Sequence, residues 1–399
     1  MKRIEINSGS ESPLSSELDL PPGPKPNIYA VFAHCFTCSK QISAARNISR
    51  ALNTEGIGVL RFDFTGLGNS GGSFEDTNFS ANVEDIIVVS DWLGHNYKAP
   101  SLLVGHSLGG AAVLFAGGRI DSIRAIATVG APSSPDHVSH LFSSSLDQLK
   151  QDGEAMVDIG GRPFKMKQQF VDDLQAHDAN STVKKLRKPL LIMHSPQDTI
   201  VGIENAAALY SAAHHPKSFV SLDGADHLLS RSQDSIYVGQ VVANWAHRYL
   251  DFQEAENDSN QVVAELGDDR FTTSISVGDH RFLADEPKSV GGMNLGPTPY
   301  DLVASGLAAC TAMTLKMYAN RKKWVIEDIR VHVNHEKKYA LDCDSCDSPS
   351  SKIDHFDREI LIVGVLDVKQ RARLLEIADK CPVHKTLEAS SKVITRLID

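Results

Sequence analysis

Short apolar runs alternate with helix-like stretches over the first 250 residues of the chain. Between two of the runs, Val83, Ile86 and Ile87 recur with the spacing of one helix face. The runs themselves are apolar at almost every position and lie at 28–33, 58–62, 102–104, 125–129, 190–193 and 219–222. Because strands that are apolar on both faces are typical of parallel sheets covered by helices, the pattern predicts an α/β fold with a mostly parallel, doubly wound sheet.

Residues 133–180 interrupt this alternation. The segment is polar and mostly helical in pattern, and it shows no clear strand. It stands just before the apolar run at 190–193. We therefore expect residues 133–180 to form a helical cap over the functional site of a domain that spans residues 1–250.

Residues 251–260 hold four acidic residues and no basic one, a composition typical of a linker. After them, the regular alternation of strands and helices ends. Residues 271–277 and 280–284, separated by Gly-Asp, predict a β-hairpin. A helix with proline in its first turn is predicted over 299–322, and its apolar surface on almost every side indicates a central buried helix. The remaining predicted elements are strands at 326–333, 356–363 and 393–397 and a helix near 368–379. Residues 261–399 are thus expected to form an α+β domain.

Composition and charge narrow the classes of function. A chain of 399 residues with 42% hydrophobic and 23% charged residues is typical of globular protein with two domains. Its formal net charge of −10 argues against nucleic acid or an anionic membrane as the main partner. No apolar run is long enough to span a membrane, and no apolar core follows the basic N-terminal residues. We therefore expect no membrane segment, no secretory signal and a cytoplasmic location.

Residues 105–109 read Gly-His-Ser-Leu-Gly, a G-x-S-x-G between the run at 102–104 and a helical stretch. Small flanking residues permit the sharp strand-to-helix turn that exposes the Ser107 hydroxyl. The acid and the base of a triad follow such a serine in that order, and Asp198 and His227 each come directly after a predicted strand. The pattern predicts a triad in which His227 takes the serine proton and Asp198 orients the imidazole. The alternative is that Asp198 only caps a helix and His227 only occupies a loop.

An oxyanion hole requires two N–H donors near this serine, and the Leu108 N–H, directly after the nucleophile, is the first predicted donor. Residues 34–39 read His-Cys-Phe-Thr-Cys-Ser, and residues 63–70 read Asp-Phe-Thr-Gly-Leu-Gly-Asn-Ser. Together with the G-x-S-x-G, both loops resemble those of small carboxylesterases in the α/β-hydrolase family. The resemblance covers most of residues 20–250. It implies that the Phe36 N–H is the second donor and that the substrates are short-to-medium carboxylic esters.

Cys35 and Cys38 stand where the family loop has glycines. If the loop needs a positive φ at either position, a cysteine would strain it. The two residues also form a C-x-x-C, so a redox or metal role is an alternative. Because the segment follows a strand that already fits the hydrolase, we favour its role as the oxyanion loop.

The second domain contains two further cysteines of interest. Cys310 lies inside the predicted long helix, where composition alone would make it a packed core thiol. Cys381 directly precedes Pro382, which suits a helix start, and a helix N-terminus stabilises a thiolate. These segments and the Gly-Pro-Thr-Pro-Tyr-Asp at 296–301 are similar to the OsmC/Ohr family of organic hydroperoxide reductases, over about 265–399. The whole chain resembles fusions of an α/β-hydrolase and an OsmC-like domain.

That resemblance implies that one cysteine attacks a hydroperoxide to form a sulfenic acid and the other resolves it as a disulfide. We assign the resolving role to Cys381. A homodimer through this domain and a thiol reductant are also implied. The peroxidase branch of the family has a glutamate where this chain has Tyr300, followed by Asp301, and an activating arginine for which Arg270 and Arg281 are candidates. An inert or ligand-binding version of the domain is therefore an alternative.

Cys343 and Cys346 form a third pair in an acidic stretch. A zinc site needs four ligands, which His335 and His355 could complete, but an exposed loop with a reversible thiol pair is the favoured interpretation. For the whole chain, the prediction is a serine esterase fused to a cysteine-based redox domain, without a bound cofactor or metal. The alternatives are a thiol-dependent hydroperoxide reductase with an auxiliary hydrolase domain, or a binding protein without turnover.

Overall fold

The computed structural model describes residues 2–7, 12–21, 25–159, 162–252, 262–266, 271–278, 280–339 and 352–397. Internal contacts divide the chain into unit 1, Met1–Asn257, and unit 2, Asp258–Asp399. This division falls inside the predicted linker, most of which lies outside the described residues. Arg270, Cys343 and Cys346 also lie outside them.

Unit 1 is built on an eight-stranded sheet with the order β1-β2-β4-β3-β5-β6-β9-β10. The unit's strands are β1 Lys2–Ile6, β2 Leu14–Asp19, β3 Ile28–Ala33, β4 Ile57–Phe62, β5 Leu102–His106, β6 Ala125–Val129, β7 Glu154–Ile159, β8 Arg162–Lys167, β9 Leu190–His194 and β10 Lys217–Ser221. From β4 to β10 neighbouring strands are parallel, whereas β1 and β2 are antiparallel. The six predicted strands and the predicted fold class are confirmed. The polar composition of β1 and β2 concealed these two strands from the hydrophobic pattern.

Helices cover both faces of this sheet. They are α1 Ser43–Thr54, α2 Phe79–Asn96, α3 Leu108–Gly117, α4 Leu146–Asp152, α5 Gln168–Gln175, α6 Ala179–Leu186, α7 Glu204–Ala212 and α8 Ser232–Ala246. Alternate residues of β3 enter two separate cores: Val31 packs with residues of α2 and α3, whereas Ala30 and Phe32 pack with residues of α1 and α8. Successive strand residues point to opposite faces, so a strand between two helical layers is apolar at every position.

The segment at 133–180 contains strands as well as helices, so the prediction of a helical cap with no clear strand is wrong on the absence of strands. Strands β7 and β8 pair as an antiparallel hairpin between α4 and α5. Along β7 the buried residues are Ala155, Val157 and Ile159, and they alternate with exposed ones. That two-residue period marks a half-buried strand, but three apolar positions in a polar segment gave too weak a signal.

Unit 2 contains strands and helices in an α+β arrangement. Its strands are β11 Val262–Leu266, β12 Thr273–Val277, β13 His280–Ala284, β14 Ile326–Tyr339 and β15 Lys352–Gly364, and its helices are α9 Pro299–Lys322, α10 Val368–Ala378 and α11 Pro382–Glu388. Strands β12 and β13 pair with Val277 opposite His280, which confirms the predicted hairpin. The predicted strand at 393–397 is absent. Its residues suit a strand, but they find no neighbouring strand among the described residues of this chain, and a strand needs one for its backbone hydrogen bonds.

Helix α9 is not buried on all sides, in contrast to the prediction. The buried positions form one stripe, at Ala304, Leu307, Thr311, Leu315 and Ala319. Outside this stripe the helix exposes apolar side chains, among them Met313 at 65% and Met317 at 73%. By length and composition α9 is long and apolar enough to cross a membrane, a test that core helices of globular proteins also pass.

A buried ionic network joins the antiparallel edge of the sheet to the loop after β3. The Arg61 side chain is fully buried and donates to Asp19 Oδ2 at 2.8 Å, to Glu17 Oε2 at 3.1 Å and to the Lys40 carbonyl oxygen at 2.5 Å. Lys40 Nζ in turn lies 2.5 Å from Asp63 Oδ2. Removing one partner from such a network leaves buried charges without compensation.

We therefore expect Arg61→Ala to lower the stability of unit 1 by about 3–5 kcal/mol. Urea unfolding of the full chain, followed by tryptophan fluorescence, would measure the loss. Arg119→Ala is the matched control, because Arg119 forms an exposed ion pair with Glu84 and should cost less than about 1 kcal/mol. Equal effects of the two substitutions would contradict this account of the network.

Candidate active site

Ser107 occupies a sharp turn between β5 and α3. Its backbone adopts φ 56° and ψ −126°, and its N–H donates to the Val129 carbonyl oxygen at 2.9 Å. The turn leaves no room for side chains at its flanks. A Cβ on Gly105 would lie 2.4 Å from the Gly109 carbonyl oxygen, and one on Gly109 would lie 2.3 Å from the His34 carbonyl oxygen. The two glycines of the G-x-S-x-G are therefore required by the close approach of three backbone segments.

The structure brings together Ser107, Asp198 and His227, although Ser107 and His227 are 120 residues apart in the chain. His227 Nε2 lies 2.9 Å from Ser107 Oγ, and His227 Nδ1 lies 2.7 Å from Asp198 Oδ2. The three residues follow β5, β9 and β10, so they meet at the carboxyl edge of the parallel sheet. This is the hydrogen-bonded order that nucleophile, base and orienting acid require.

The environment of Asp198 keeps its carboxylate ionised. Burial raises the pKa of this carboxyl, but the hydrogen bond and charge of His227, with backbone N–H groups of Val201 and Ile200, outweigh burial and bring the pKa below its usual value. Both N–H groups donate to Oδ1 at 2.9 Å. An ionised Asp198 holds the proton of His227 on Nδ1 and leaves Nε2 free to accept the Ser107 proton.

His106 contacts the backbone of His227, and the sequence analysis did not predict this contact. Its Nε2 lies 2.7 Å from the backbone carbonyl oxygen of His227, and the two rings lie 5.3 Å apart. Complete burial, followed by the charge of His227, lowers the pKa of His106 to about 3. The neutral ring therefore donates from Nε2 and fixes the His227 backbone. Its place as the variable residue of the G-x-S-x-G gave no sequence signal for this contact.

Phe36 and Leu108, the two predicted oxyanion donors, line one small pocket together with His34, Phe64, Leu67, Phe74, Asn82, Gly109 and Ala112. Leu108 is the first residue of α3, where a backbone N–H has no partner within the helix. The pocket volume is about 10 Å³, close to the space of a single water. Its lining is mainly apolar, which suits a short hydrocarbon group beside the nucleophile.

The loop that carries Phe36 is closed by a disulfide between Cys35 and Cys38. The Cys38 N–H also donates to the Cys35 carbonyl oxygen at 3.1 Å, which makes residues 35–38 a β-turn. The positive φ of this turn falls on Thr37, at 59°, and on neither cysteine. The backbone strain that we expected at a cysteine therefore lies at Thr37.

In unit 2, the structure brings Cys310 of α9 into hydrogen-bonding contact with Cys381 at the start of α11. Burial raises the pKa of the Cys381 thiol, but hydrogen bonds from the Cys310 thiol, the His384 backbone N–H and the Thr311 hydroxyl lower it below its usual value. Cys381 is fully buried, whereas Cys310 is partly exposed. Thiolate character thus favours Cys381 as the attacking residue, and access favours Cys310.

Arg358, which the sequence did not indicate, is an arginine bonded to Thr311, the residue after Cys310. Its Nη1 donates to Thr311 Oγ1 at 3.0 Å and to the Ala378 carbonyl oxygen at 3.2 Å, so it connects α9 to the segment that precedes Cys381. Arg281 lies exposed on β13, and no hydrogen bond joins it to either thiol within the described ranges.

The other residues singled out in unit 2 have structural partners. Asp301 accepts from the Thr298 backbone N–H at 2.9 Å and closes the capping box of α9. Tyr300 stacks on the His335 ring at 4.2 Å, and His335 Nε2 lies 2.9 Å from Asp354 Oδ1. Within the described part of the chain, no group of three or more His, Cys, Asp or Glu side chains could hold a metal ion.

We expect Ser107 to react covalently with a fluorophosphonate probe, because its hydroxyl is hydrogen-bonded to a base that an ionised acid orients. Asp198→Asn should slow this labelling by about 10⁴-fold, since the amide no longer holds the proton of His227 on Nδ1. Mass spectrometry of labelled peptides gives both site and rate. Asp226→Asn is the control, because Asp226 adjoins His227 and its carboxylate bonds only the Ser230 N–H within the described part of the chain. Equal rates for the two variants would contradict the assignment of Asp198.

Comparisons with known proteins agree with both units. A sequence profile described as "Alpha/beta hydrolase family" matches residues 30–240, more than half of the chain. A second profile, described as "OsmC-like protein", matches residues 291–396.

Two curated relatives resemble part of unit 1. The human palmitoyl-protein thioesterase ABHD10, mitochondrial, is 26% identical over 155 residues, which are 37% of this chain and 49% of that protein. The Danio rerio lysophosphatidylserine lipase ABHD12 is 25% identical over 182 residues, which are 42% of this chain and 43% of that protein. The chain thus spans about half the length, or less, of these relatives.

Among solved structures, the esterase domain of a Rhodothermus marinus protein is 51% identical, with a TM-score of 0.53, over 62% of this chain and 98% of that one. Est1E from Butyrivibrio proteoclasticus, solved with ferulic acid bound, is 23% identical, with a TM-score of 0.51, over 62% of this chain and 98% of that one. The second likeness shows the fold alone.

Proposed function

Because the chain belongs to the alpha/beta hydrolase family and carries an OsmC-like domain, we propose that unit 1 is a serine esterase that hydrolyses carboxylic esters. The observation that carries the proposal is the continuous hydrogen-bonded series from Ser107 Oγ through His227 to Asp198, with separations of 2.9 Å and 2.7 Å. The similarity to the Rhodothermus marinus esterase domain, at 51% identity, supports it.

The proposed reaction proceeds through an acyl-enzyme. The Ser107 oxygen attacks the ester carbonyl carbon while His227 Nε2 takes the hydroxyl proton. The N–H groups of Leu108 and Phe36 stabilise the negative oxygen of the tetrahedral intermediate, and the positive end of α3 adds to this effect. His227 then gives its proton to the leaving alcohol, and water cleaves the acyl-enzyme by the same steps.

The pocket beside the oxyanion loop supports a preference for short acyl chains. Its walls include Phe36, Phe64 and Phe74, and its volume is about 10 Å³. The cap hairpin lies over this region, because Lys165 and Lys167 on β8 form ion pairs with Glu75 and Asp76 next to Phe74. A longer acyl chain would have to displace the aromatic side chains or these ion pairs, so activity should fall as the chain lengthens.

We expect the full chain to hydrolyse p-nitrophenyl acetate and butyrate faster than the decanoate, and Ser107→Ala to lower kcat by about 10⁴-fold or more. Release of p-nitrophenolate measures both. Ser122→Ala is the control, because the Ser122 hydroxyl bonds only the Pro100 carbonyl oxygen in the residues described. Activity that survives in Ser107→Ala would remove the proposal.

For unit 2 we propose thiol-dependent reduction of organic hydroperoxides by Cys310 and Cys381. The Cys310 thiolate attacks the distal peroxide oxygen and becomes a sulfenic acid, and the alkoxide leaves and takes up a proton. The Cys381 thiol then displaces water to form a disulfide, which two electrons from a thiol reductant reopen. The contact between the two thiols and the partial exposure of Cys310 support this order. We place the reaction in the cytoplasm, where thiol reductants are available.

A homodimer through unit 2 is part of the same proposal. The apolar side chains that α9 leaves exposed, including Met313 and Met317, would be covered by a second copy. The exposed residues at 393–397, whose sequence suits a strand, would find strand partners in that copy. Both features leave apolar surface that the single chain does not bury.

We expect the full chain to consume cumene hydroperoxide in the presence of a dithiol, and Cys310→Ser to reduce consumption to the uncatalysed rate. Cys381→Ser should allow a single turnover and accumulate a sulfenic acid on Cys310, which dimedone traps for mass spectrometry. Cys343→Ser/Cys346→Ser is the control variant. The reverse pattern would make Cys381 the attacking residue. Full turnover in both variants would show that the thiol pair does not reduce the peroxide.

A further inference from the structure

The disulfide of unit 1 lies inside the loop that the proposed esterase needs for its oxyanion hole. We propose that Cys35 and Cys38 are a reversible redox site that controls ester hydrolysis: the disulfide form holds the oxyanion turn, residues 35–38, in its active geometry, and the dithiol form releases it. This inference rests on the proposed esterase function. Neither cysteine takes part in the triad or in the chemistry assigned to unit 2.

The conformation of the turn explains why it needs a covalent closure. Thr37 adopts φ 59°, a region that a β-branched residue rarely occupies and that this turn position normally reserves for glycine or asparagine. One backbone hydrogen bond, from the Cys38 N–H to the Cys35 carbonyl oxygen at 3.1 Å, closes the same four residues. When the disulfide opens, this hydrogen bond and the non-covalent contacts of Phe36 and Thr37 are left to oppose the return of Thr37 to an ordinary backbone conformation.

The turn also connects three parts of the site through its two central residues. The Phe36 ring packs against Phe74 at 5.7 Å and against Phe170 of α5 at 5.5 Å, and it lines the small pocket. The Thr37 carbonyl oxygen accepts from Arg162 Nη1 of β8 at 3.5 Å. A shift of the turn would therefore move an oxyanion donor, a pocket wall and a contact with the cap at the same time.

Both ends of the loop are held in place, although by different contacts. Beyond Cys38, the Lys40 N–H and Nζ both bond the Asp63 carboxylate, at 2.6 Å and 2.5 Å, in the fully buried network. At the start of the turn, Cys35 is 2% exposed and lies two residues after the end of β3. Because both flanks are anchored, opening the disulfide should loosen residues 36 and 37 without unfolding the unit. A local change of this kind affects the rate of reaction more than the stability of the fold.

A reductant in solution can reach the disulfide at Cys38, because Cys38 is partly exposed whereas Cys35 is buried. A thiolate of a dithiol reductant attacks the Cys38 sulfur, a mixed disulfide forms, and Cys35 leaves as a thiolate that takes up a proton. The second thiol of the reductant then displaces Cys38 and becomes a cyclic disulfide. In the reverse direction, an organic hydroperoxide oxidises one thiolate to a sulfenic acid and is itself reduced to an alcohol. The other thiol then displaces water from the sulfenic acid and forms the disulfide.

This chemistry links the site to the proposed role of unit 2. The oxidant that would close the turn is an organic hydroperoxide, the same chemical class as the proposed substrate of Cys310 and Cys381. Ester hydrolysis would then be highest when hydroperoxide is present and lowest when dithiol dominates.

The test compares the full-length wild type with Cys35→Ser/Cys38→Ser, each after reduction with dithiothreitol and again after reoxidation with cumene hydroperoxide. The reductant is removed by gel filtration before the assay, because free thiols themselves cleave activated esters. Alkylation and peptide mass spectrometry report the state of Cys35 and Cys38, and p-nitrophenyl acetate hydrolysis gives kcat and KM. Circular dichroism checks that each sample remains folded.

We expect reduction of the wild type to lower kcat by about 100-fold, as a misplaced catalytic group does, and reoxidation to restore it. The double variant should have the low kcat in both states. Should that variant fail to fold, the reversible change in the wild type remains the deciding measurement.

Three results would overturn the redox site. These are an unchanged kcat when the peptides show Cys35 and Cys38 reduced, a disulfide that dithiothreitol does not open in the folded protein, or a redox response that persists in the double variant. Absence of Ser107-dependent hydrolysis in both states would instead refute the esterase proposal. The proposed redox control would then have no activity to act on.

Discussion

The close approach of three backbone segments at the Ser107 turn is the constraint on which the rest of unit 1 depends. The carbonyl oxygen of His34 lies where a side chain on Gly109 would have to sit, so the loop after β3, the end of β5 and the start of α3 pack without intervening side chains. This packing holds Ser107 at φ 56°, a strained value that only a rigid surrounding maintains. It also places the loop after β3, which carries the proposed oxyanion donor Phe36, beside Ser107, so the same packing positions both.

Rigid support for this contact comes from both sides. Two apolar cores cover the faces of the sheet, and a neutral, buried His106 fixes the backbone of His227. The loop after β3 has two further anchors of different chemistry. The Lys40–Asp63 ion pair holds its far end permanently, whereas the Cys35–Cys38 disulfide holds the turn by a bond that thiols can open. In the redox proposal, the reversible anchor is therefore the one next to the reacting atoms.

The two units differ in how much of their apolar surface they bury within one chain. Unit 1 encloses its parallel sheet between helices and assembles its triad from its own strands. Unit 2 buries one stripe of the 24-residue helix α9 and leaves Met313 and Met317 exposed. The proposed esterase can therefore be built from one chain, whereas the homodimer proposed for unit 2 would cover this apolar surface with a second copy.

Features that depend on local pattern could be predicted from the amino-acid sequence. Continuous apolar runs predicted the parallel strands, because a strand between two helical layers is apolar at every position. The G-x-S-x-G and the order of Asp198 and His227 were sufficient to predict the triad, since its residues follow strand ends that share one edge of the sheet. The tertiary structure alone decided what depends on distant partners. These features are the cap hairpin, the single buried stripe of α9, the missing strand at 393–397, the support of His227 by His106 and the contact of Arg358 with Thr311 beside Cys310. Each is set by contacts between segments far apart in the chain, which the hydrophobic period of a segment does not report.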